Sequence, residues 1–324
     1  MVEVSEIRDV CARALEKAGA EPWVAQHVAD ATARAEQIGN TICGLSYMES
    51  YCGALGTGRV DGSAEPVVEV LRPGSIRVDA QQGFAQPAFV RGLPTVVEAA
   101  RTNGIAALGI SNSHTCTSLG YFTEQIATEG LLALGFTNAS PVVAPPGGSI
   151  PVIGTNPVAF SVPDGAGGVA LHFDAATSNV ALGAIKDAKA AKQAIPEGWA
   201  VGPDGAPTTD PAEALKGALT SLGGPKGFGL GLIAEVLAAG MTGSVNSVDV
   251  AGLKLADGAP HNLGQFYIVV DPGTSPEFFA RLGRLTGAII DQPGTRVPGT
   301  TRGRAEAVSV NEKDWGSVRA LAGL

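Results

Sequence analysis

Charge is sparse in this chain, and positive charge sparser still. Only 16% of its 324 residues are charged, with 22 Lys and Arg against 31 Asp and Glu. The net charge is −9 and no Lys/Arg run exceeds two residues, so nucleic acid and acidic membrane surfaces are poor partners. Cysteine is equally thin. Cys11, Cys43, Cys52 and Cys116 show no CxxC spacing and do not suggest a disulfide framework in a chain this long. The four histidines (His27, His114, His172, His261) do not cluster at metal-ligand spacing, so no metal is expected. No apolar stretch reaches the roughly 18 residues of a membrane span. The opening MVEVSEIRDV lacks the basic and apolar regions of a secretory leader. The expectation is a soluble, reduced, cytoplasmic protein.

What is present is globular. Hydrophobic residues make up 45%, and the 44 glycines and 21 prolines sit at punctuation points without a fixed repeat. The first 55 residues read as three helices. Ser5 is a candidate N-cap for Ile7, Val10, Cys11, Ala14 and Leu15, with Gly19 as the stop. Pro22 suits the first turn of a second helix that Gly39 closes. A third carries Leu45, Met48, Cys52 and Leu55 on one stripe, with Tyr47 and Tyr51 beside it.

From residue 75 the texture turns to β-like runs: SIRVDA (75–80), IAALGIS (105–111), LLALGFTNA (131–139), PVAFSVP (157–163), VALHFDAA (169–176) and GQFYIVV (264–270). Helical segments are expected near 91–103, 119–129 and 226–241, and a capped helix from Asn311. The order suggests two domains, a helical one from both chain ends (1–72 and 305–324) and an α/β one (73–304).

No strand leads into GxGxxG with an acidic residue about 20 positions on, so the ordinary Rossmann fingerprint is absent. GGPKGFGLG (223–231) is not a P-loop, because Gly follows Lys226. Glycines entering a helix still leave backbone N–H groups for a phosphate, or else they serve tight packing with a solvated lysine. His114, in SNSHTC after a β-like run, is either a site residue or a loop histidine. His172 and Asp174 flank Phe173 and share a strand face, as a site pair or a locally satisfied one. His27 and His261 read as structural, and Cys43 and Cys52 more as core thiols than nucleophiles.

Several ordered segments together resemble the malate/L-lactate dehydrogenase family that lacks a Rossmann fold. They are NASPVVAPPGGSIPVIGTNPVAFSVP (138–163), FDAATS (173–178), IPEGWAVGPDGAPTTDP (195–211) and GGPKGFG (223–229). VDAQQGFAQPAF (78–89) is similar to the ketimine reductase and sulfolactate branches. The resemblance implies an α/β fold: a non-Rossmann NAD(P)-binding domain with a mixed, largely antiparallel sheet, plus the helical domain. It implies a homodimer with its site near the interface. It also implies a small-molecule substrate and NADPH or NADH as coenzyme, those two branches favouring NADPH. Carried over by position, His172, Phe173, Asp174, Ala175, Ala176, Thr177 and Ser178 line the dinucleotide, and Lys226 meets a phosphate. Gly299, Thr300 and Thr301 close the other end; Thr155 and Ser140 face substrate, and Asn156 sits near the reacting carbon.

The chain departs from the family where acid–base chemistry is expected. The Ser-His-Gly-x-x-Arg signature reads Ile42, Cys43, Gly44 and Tyr47, and a second family histidine aligns with Thr115, beside His114. A histidine of pKa near ~6.5 suits proton delivery to an alkoxide; a thiol near ~8.5 suits it less. Tyr47 offers one hydroxyl where arginine offers a bidentate clamp. An imine that arrives protonated needs the enzyme's acid less. The expectation is an NAD(P)H-dependent reductase of a small 2-imino or 2-oxo acid. Its alternatives are a 2-hydroxy acid dehydrogenase with a re-sited acid such as His114, and a silent nicotinamide-binding scaffold or sensor.

Overall fold

The computed structural model describes residues 1–300, 303 and 305–324. Thr301, one of the expected cofactor contacts, lies outside them. Strand β1 (Val2–Glu3) runs directly into helix α1 (Val4–Lys17), whose N-cap is Glu3 without a side-chain bond. Ser5 is therefore inside the helix and caps nothing, because strand pairing at residues 2–3 sets where it starts. Ile7, Val10, Cys11, Ala14 and Leu15 are buried, as their spacing demands. Helix α2 (Pro22–Gln37) has Pro22 in its first turn, and Gly39 leaves it at φ +76°.

The expected third helix starts later than its apolar stripe. Two 3₁₀ turns, Thr41–Cys43 and Leu45–Tyr47, come before α3 (Met48–Thr57). Buried Glu36 is the cause: its Oε1 accepts Leu45 N–H at 2.8 Å, and any side chain at Gly44 would overlap that carboxylate. Cys43 and Tyr47 thus ride on turns pinned to α2.

The α/β body comprises β2 (Val67–Arg72), β3 (Ser75–Asp79), α4 (Ala85–Asn103), β4 (Ile105–Ser113), α5 (Gly120–Thr128), β5 (Leu132–Thr137), β6 (Val158–Pro163), β7 (Val169–Ala175) and α6 (Leu182–Ala190). A small three-stranded sheet follows from β8 (Ala200–Val201), β9 (Pro207–Thr208), α7 (Pro211–Ala214) and β10 (Ala218–Leu219). Next come α8 (Pro225–Glu235), a π turn (Val236–Gly240), β11 (Leu263–Val270) and α9 (Phe278–Ile290), then β12 (Ala307–Val308) and α10 (Glu312–Ala322).

The main sheet has seven strands in the order β2-β3-β4-β11-β5-β6-β7. Its β3–β4 pair is parallel and the other described pairs are antiparallel, the mixed, largely antiparallel sheet of the sequence reading. Strand periodicity sorts its two faces. Ala133, Tyr267 and Val269 pack under α4 and α5, while Leu134, Phe136, Phe266 and Ile268 pack with Ala234 of α8. Residues 67–72, numbered with the helices in the sequence reading, pair with β3 in this sheet.

Val318 and Ala322 of α10 are buried in the core formed by α1, α2 and α3. Asn311 caps α10 with its side chain, accepting from Lys313 and Asp314 N–H at 3.0 and 3.1 Å. β1 pairs with β12, so the chain ends close on each other.

Candidate active site

The end of edge strand β7 gathers most of the candidate residues. His172 and Asp174 do share one face, and both press on Gly120, the first residue of α5. A Cβ there would lie 2.6 Å from His172 Nε2 and 2.8 Å from Asp174 Oδ2, so only glycine permits the approach. Asp174 Oδ2 accepts Gly120 N–H at 2.8 Å and the Ser118 hydroxyl at 3.4 Å, an anion at a helix N-terminus. His172 Nδ1 meets Ser161 Oγ at 2.7 Å. Phe173, on the opposite face, is exposed.

Cys43 comes to Asp174 from the helical side. The two are within electrostatic reach, and burial first, then the Asp174 charge, pushes the Cys43 thiol up to about 12. Asn40 joins them, donating to Ser118 at 3.3 Å. Tyr47 packs on Tyr51 with ring centroids 5.6 Å apart, and burial holds its phenol above the usual range. Lys254 stands over this ring, its Nζ 4.2 Å from the centroid and 3.3 Å from Ser46 O.

After Asp174 the chain runs through Ala175 and Ala176 to Thr177, which grips the loop before β6. Thr177 N–H donates to Thr155 O at 2.8 Å, and its hydroxyl reaches Thr155 O and Asn156 O at 3.0 and 3.2 Å. Asn156, at φ +31°, is wholly buried and donates to Gly231 O (3.1 Å) and Glu235 Oε2 (2.7 Å) of α8. Its side chain therefore locks the loop to α8, and Thr155 is the half-buried neighbour left at the edge. Ser178 donates to Val180 O and bridges to Ser221. Ser140 is half-buried beyond β5.

The start of α8 lies beside this ridge, since Leu222 N–H donates to Thr177 O at 2.9 Å. Gly223 and Gly224 have φ of +62° and +65°, and a Cβ on either would meet nothing within 4 Å. Left-handed backbone, not crowding, requires glycine here, and exposed Lys226 follows in the first helical turn. At the other end of β7, a cavity of about 660 Å³ is lined by His172, Gly299, Thr300, Arg34, Glu124 and the 166–169 turn. An open helix N-terminus bearing a lysine, a ridge of small residues and a cavity at the far end fit an extended dinucleotide diphosphate.

His114 lies behind these turns, against Tyr51, the ring that packs on Tyr47. It is 2% exposed, boxed by Tyr51 and Phe84, and stacked on His261 with centroids 3.8 Å apart and planes 9° from parallel. Burial holds its pKa well below the ordinary value, so it is a neutral core histidine. Thr115 is buried as well, its N–H donating to His261 Nδ1 at 3.3 Å and its carbonyl accepting from Tyr51 at 3.4 Å. Sequence reasoning missed Lys254, Ser118 and Glu235. A lone acid in the apolar run LIAEVLAAG signals a buried partner for Glu235, whereas Lys254 sits in an unpatterned loop. Among the described residues no His/Cys/Asp/Glu group could hold a metal ion, and no helix is long and apolar enough to cross a membrane.

A family model for malate/L-lactate dehydrogenase matches residues 2–313. A (2R)-3-sulfolactate dehydrogenase (NADP(+)) of Chromohalobacter salexigens is 37% identical, the match covering 99% of this chain and 98% of the relative. A Δ1-pyrroline-2-carboxylate/Δ1-piperideine-2-carboxylate reductase of Pseudomonas putida is also 37% identical, over 99% and 97%. Among solved structures, Δ1-piperideine-2-carboxylate reductase from Pseudomonas syringae superposes with a TM-score of 0.91 at 34% identity, covering 99% of each chain.

Proposed function

Because the chain belongs to the malate/L-lactate dehydrogenase family, we propose that it reduces a small 2-imino acid of the cyclic ketimine type, or a 2-oxo acid, with NADPH. It is an oxidoreductase. NADH is the alternative coenzyme; NADP(+) in the name of the sulfolactate relative favours NADPH. Bound, the reduced nicotinamide supplies the hydride. Lys226 and the N-terminus of α8 hold a phosphate, the 174–178 ridge carries the middle of the dinucleotide, and Gly299 and Thr300 flank its far end. Thr155 and Ser140 border the substrate.

The observation that carries the imine reading is that a thiol and a phenol, Cys43 and Tyr47, occupy the turns that bring Cys43 to Asp174. With the thiol pushed up to about 12 and the phenol raised too, neither side chain matches proton delivery at neutral pH. His114, buried and with its pKa held well below the ordinary value, packs on Tyr51, the ring next to Tyr47. A carbonyl gaining a hydride needs that proton at the developing alkoxide. A protonated ketimine becomes a neutral amine on hydride addition and needs none. Cys43 then acts as a neutral weak donor beside Asp174.

Leu230, Ile233, Val236 and Met241, on α8 and the residues after it, are exposed apolar side chains. They support a homodimer covering this face, with the site near the interface. Four free cysteines, three of them buried, support a reducing cytoplasmic setting. The test is NADPH oxidation with pyrroline-2-carboxylate and piperideine-2-carboxylate against pyruvate, oxaloacetate and sulfopyruvate. The expected result is a ketimine kcat/KM at least about tenfold above any 2-oxo acid. Silence on both panels overturns the proposal.

A further inference from the structure

We infer that Lys254 binds the carboxylate of the substrate, an assignment that rests on the reductase reading above. Its ammonium lies on the Tyr47 ring and has one N–H directed to Ser46 O, on the turn segment that also carries Cys43. An ammonium has three donors, so one carbonyl at 3.3 Å does not exhaust it. Among the described residues Lys254 makes no ion pair.

Three other cations have partners or places of their own. Arg34 forks onto Glu124 at 3.1 and 2.5 Å and also bonds Gln37. Arg59 is spent on backbone carbonyls, and Lys226 begins α8. Lys186 of α6 lies within electrostatic reach of Lys254, and α6 abuts the 42–47 segment, where a Cβ at Gly183 would come 3.9 Å from Ile42. Burial is the first cause that holds the Lys254 pKa below the ordinary lysine value; Lys186 adds to it, and Cys43, Asp314 and Glu49 act against it. A carboxylate at the ammonium offsets that burial.

The loop that carries Lys254 is also built to hold it still. Arg59, 2% exposed, donates to Ala259 O at 2.9 Å, Gly252 O at 3.2 Å and Leu255 O at 2.5 Å. Thr57 of α3 donates to Ala256 O at 2.6 Å, and Ser50 to Leu253 O at 3.4 Å. A buried guanidinium and two α3 hydroxyls thus fix the backbone on both sides of one lysine, which is how a binding group is preorganised.

The experiment compares wild type, Lys254→Met and Lys254→Arg, using NADPH with pyrroline-2-carboxylate and with 1-pyrroline, the same ring without the carboxylate. In Lys254→Met, KM for the carboxylated imine should rise about ten- to hundredfold with kcat within about threefold. Lys254→Arg should recover most of the loss. The 1-pyrroline rate and the NADPH Kd, read by fluorescence titration, should not move in either variant. An unchanged KM in Lys254→Met, or an equal rise for both imines, overturns the assignment and leaves the reductase reading standing. Wild-type silence toward every 2-imino and 2-oxo acid overturns both.

Discussion

The carboxylate of Asp174 accepts the backbone N–H of Gly120 at 2.8 Å, joining the last turns of edge strand β7 to the first residue of α5. Two helix N-termini approach the end of β7. The one at α5 is used internally, and the one at α8, beside Lys226, is open to a phosphate. Asp174→Ala should lower stability by about 1 kcal/mol, the usual worth of a helix N-terminal acceptor. Asp174→Asn, which keeps an acceptor oxygen, should recover part of this in urea melts.

The same carboxylate raises the Cys43 thiol. At pH 8 wild-type Cys43 should resist iodoacetamide, and in Asp174→Asn its alkylation profile should move to lower pH. Cys43→His places an acid matched to neutral pH at this point. It should raise kcat for 2-oxo acids by at least about tenfold while changing ketimine turnover little. Parallel assays on the two substrate classes decide it.

Glu235 accepts from Ser247 N–H at 2.7 Å, Ser247 Oγ at 2.5 Å and Asn156 Nδ2 at 2.7 Å. Glu235→Ala strands three buried donors and should cost about 3 kcal/mol, seen as a lower urea midpoint. Because Asn156 then loses its hold on α8, NADPH affinity should fall with it in a titration.

Acid should loosen the fold through the His114–His261 stack. Burial holds both pKa values below 6.5, that of His261 at about 3, with the Arg59 charge nearby adding to the effect. Depressed values mean that the unfolded chain binds more protons below pH ~6.5. The stability these neutral rings contribute is whole above that pH and is lost as pH falls toward 3. Urea melts at pH 7 and pH 5 should show a smaller pH dependence for His261→Asn than for wild type.

The local signals in the chain were legible. Pro22, Gly39 and Asn311 bound helices as their chemistry requires, and all six β-like runs are strands of the main sheet. Four features were not. Residues 41–47 follow the contact of Gly44 with Glu36 rather than the apolar stripe that reads as helix. Helix α9 carries Phe278, Leu282, Leu285 and Ile289 at helical spacing, a signal that the sequence reading passed over, although the helix fully buries no residue. Lys254 reaches Tyr47 only because Arg59 folds a remote loop onto α3, a contact across some 200 positions that no local pattern encodes. His114 had the right neighbours for a site in sequence, but its environment is set by His261, also far along the chain.

The sheet is united by its latest strand. Leu263–Val270 pairs on one side with Ile105–Ser113 and on the other with Leu132–Thr137. During synthesis on the ribosome, the two halves of the sheet therefore emerge and wait with bare inner edges until that eight-residue segment arrives. Nascent chains stalled before residue 263 should be the species that chaperones shield, and release of full-length chain should be what ends the need for them.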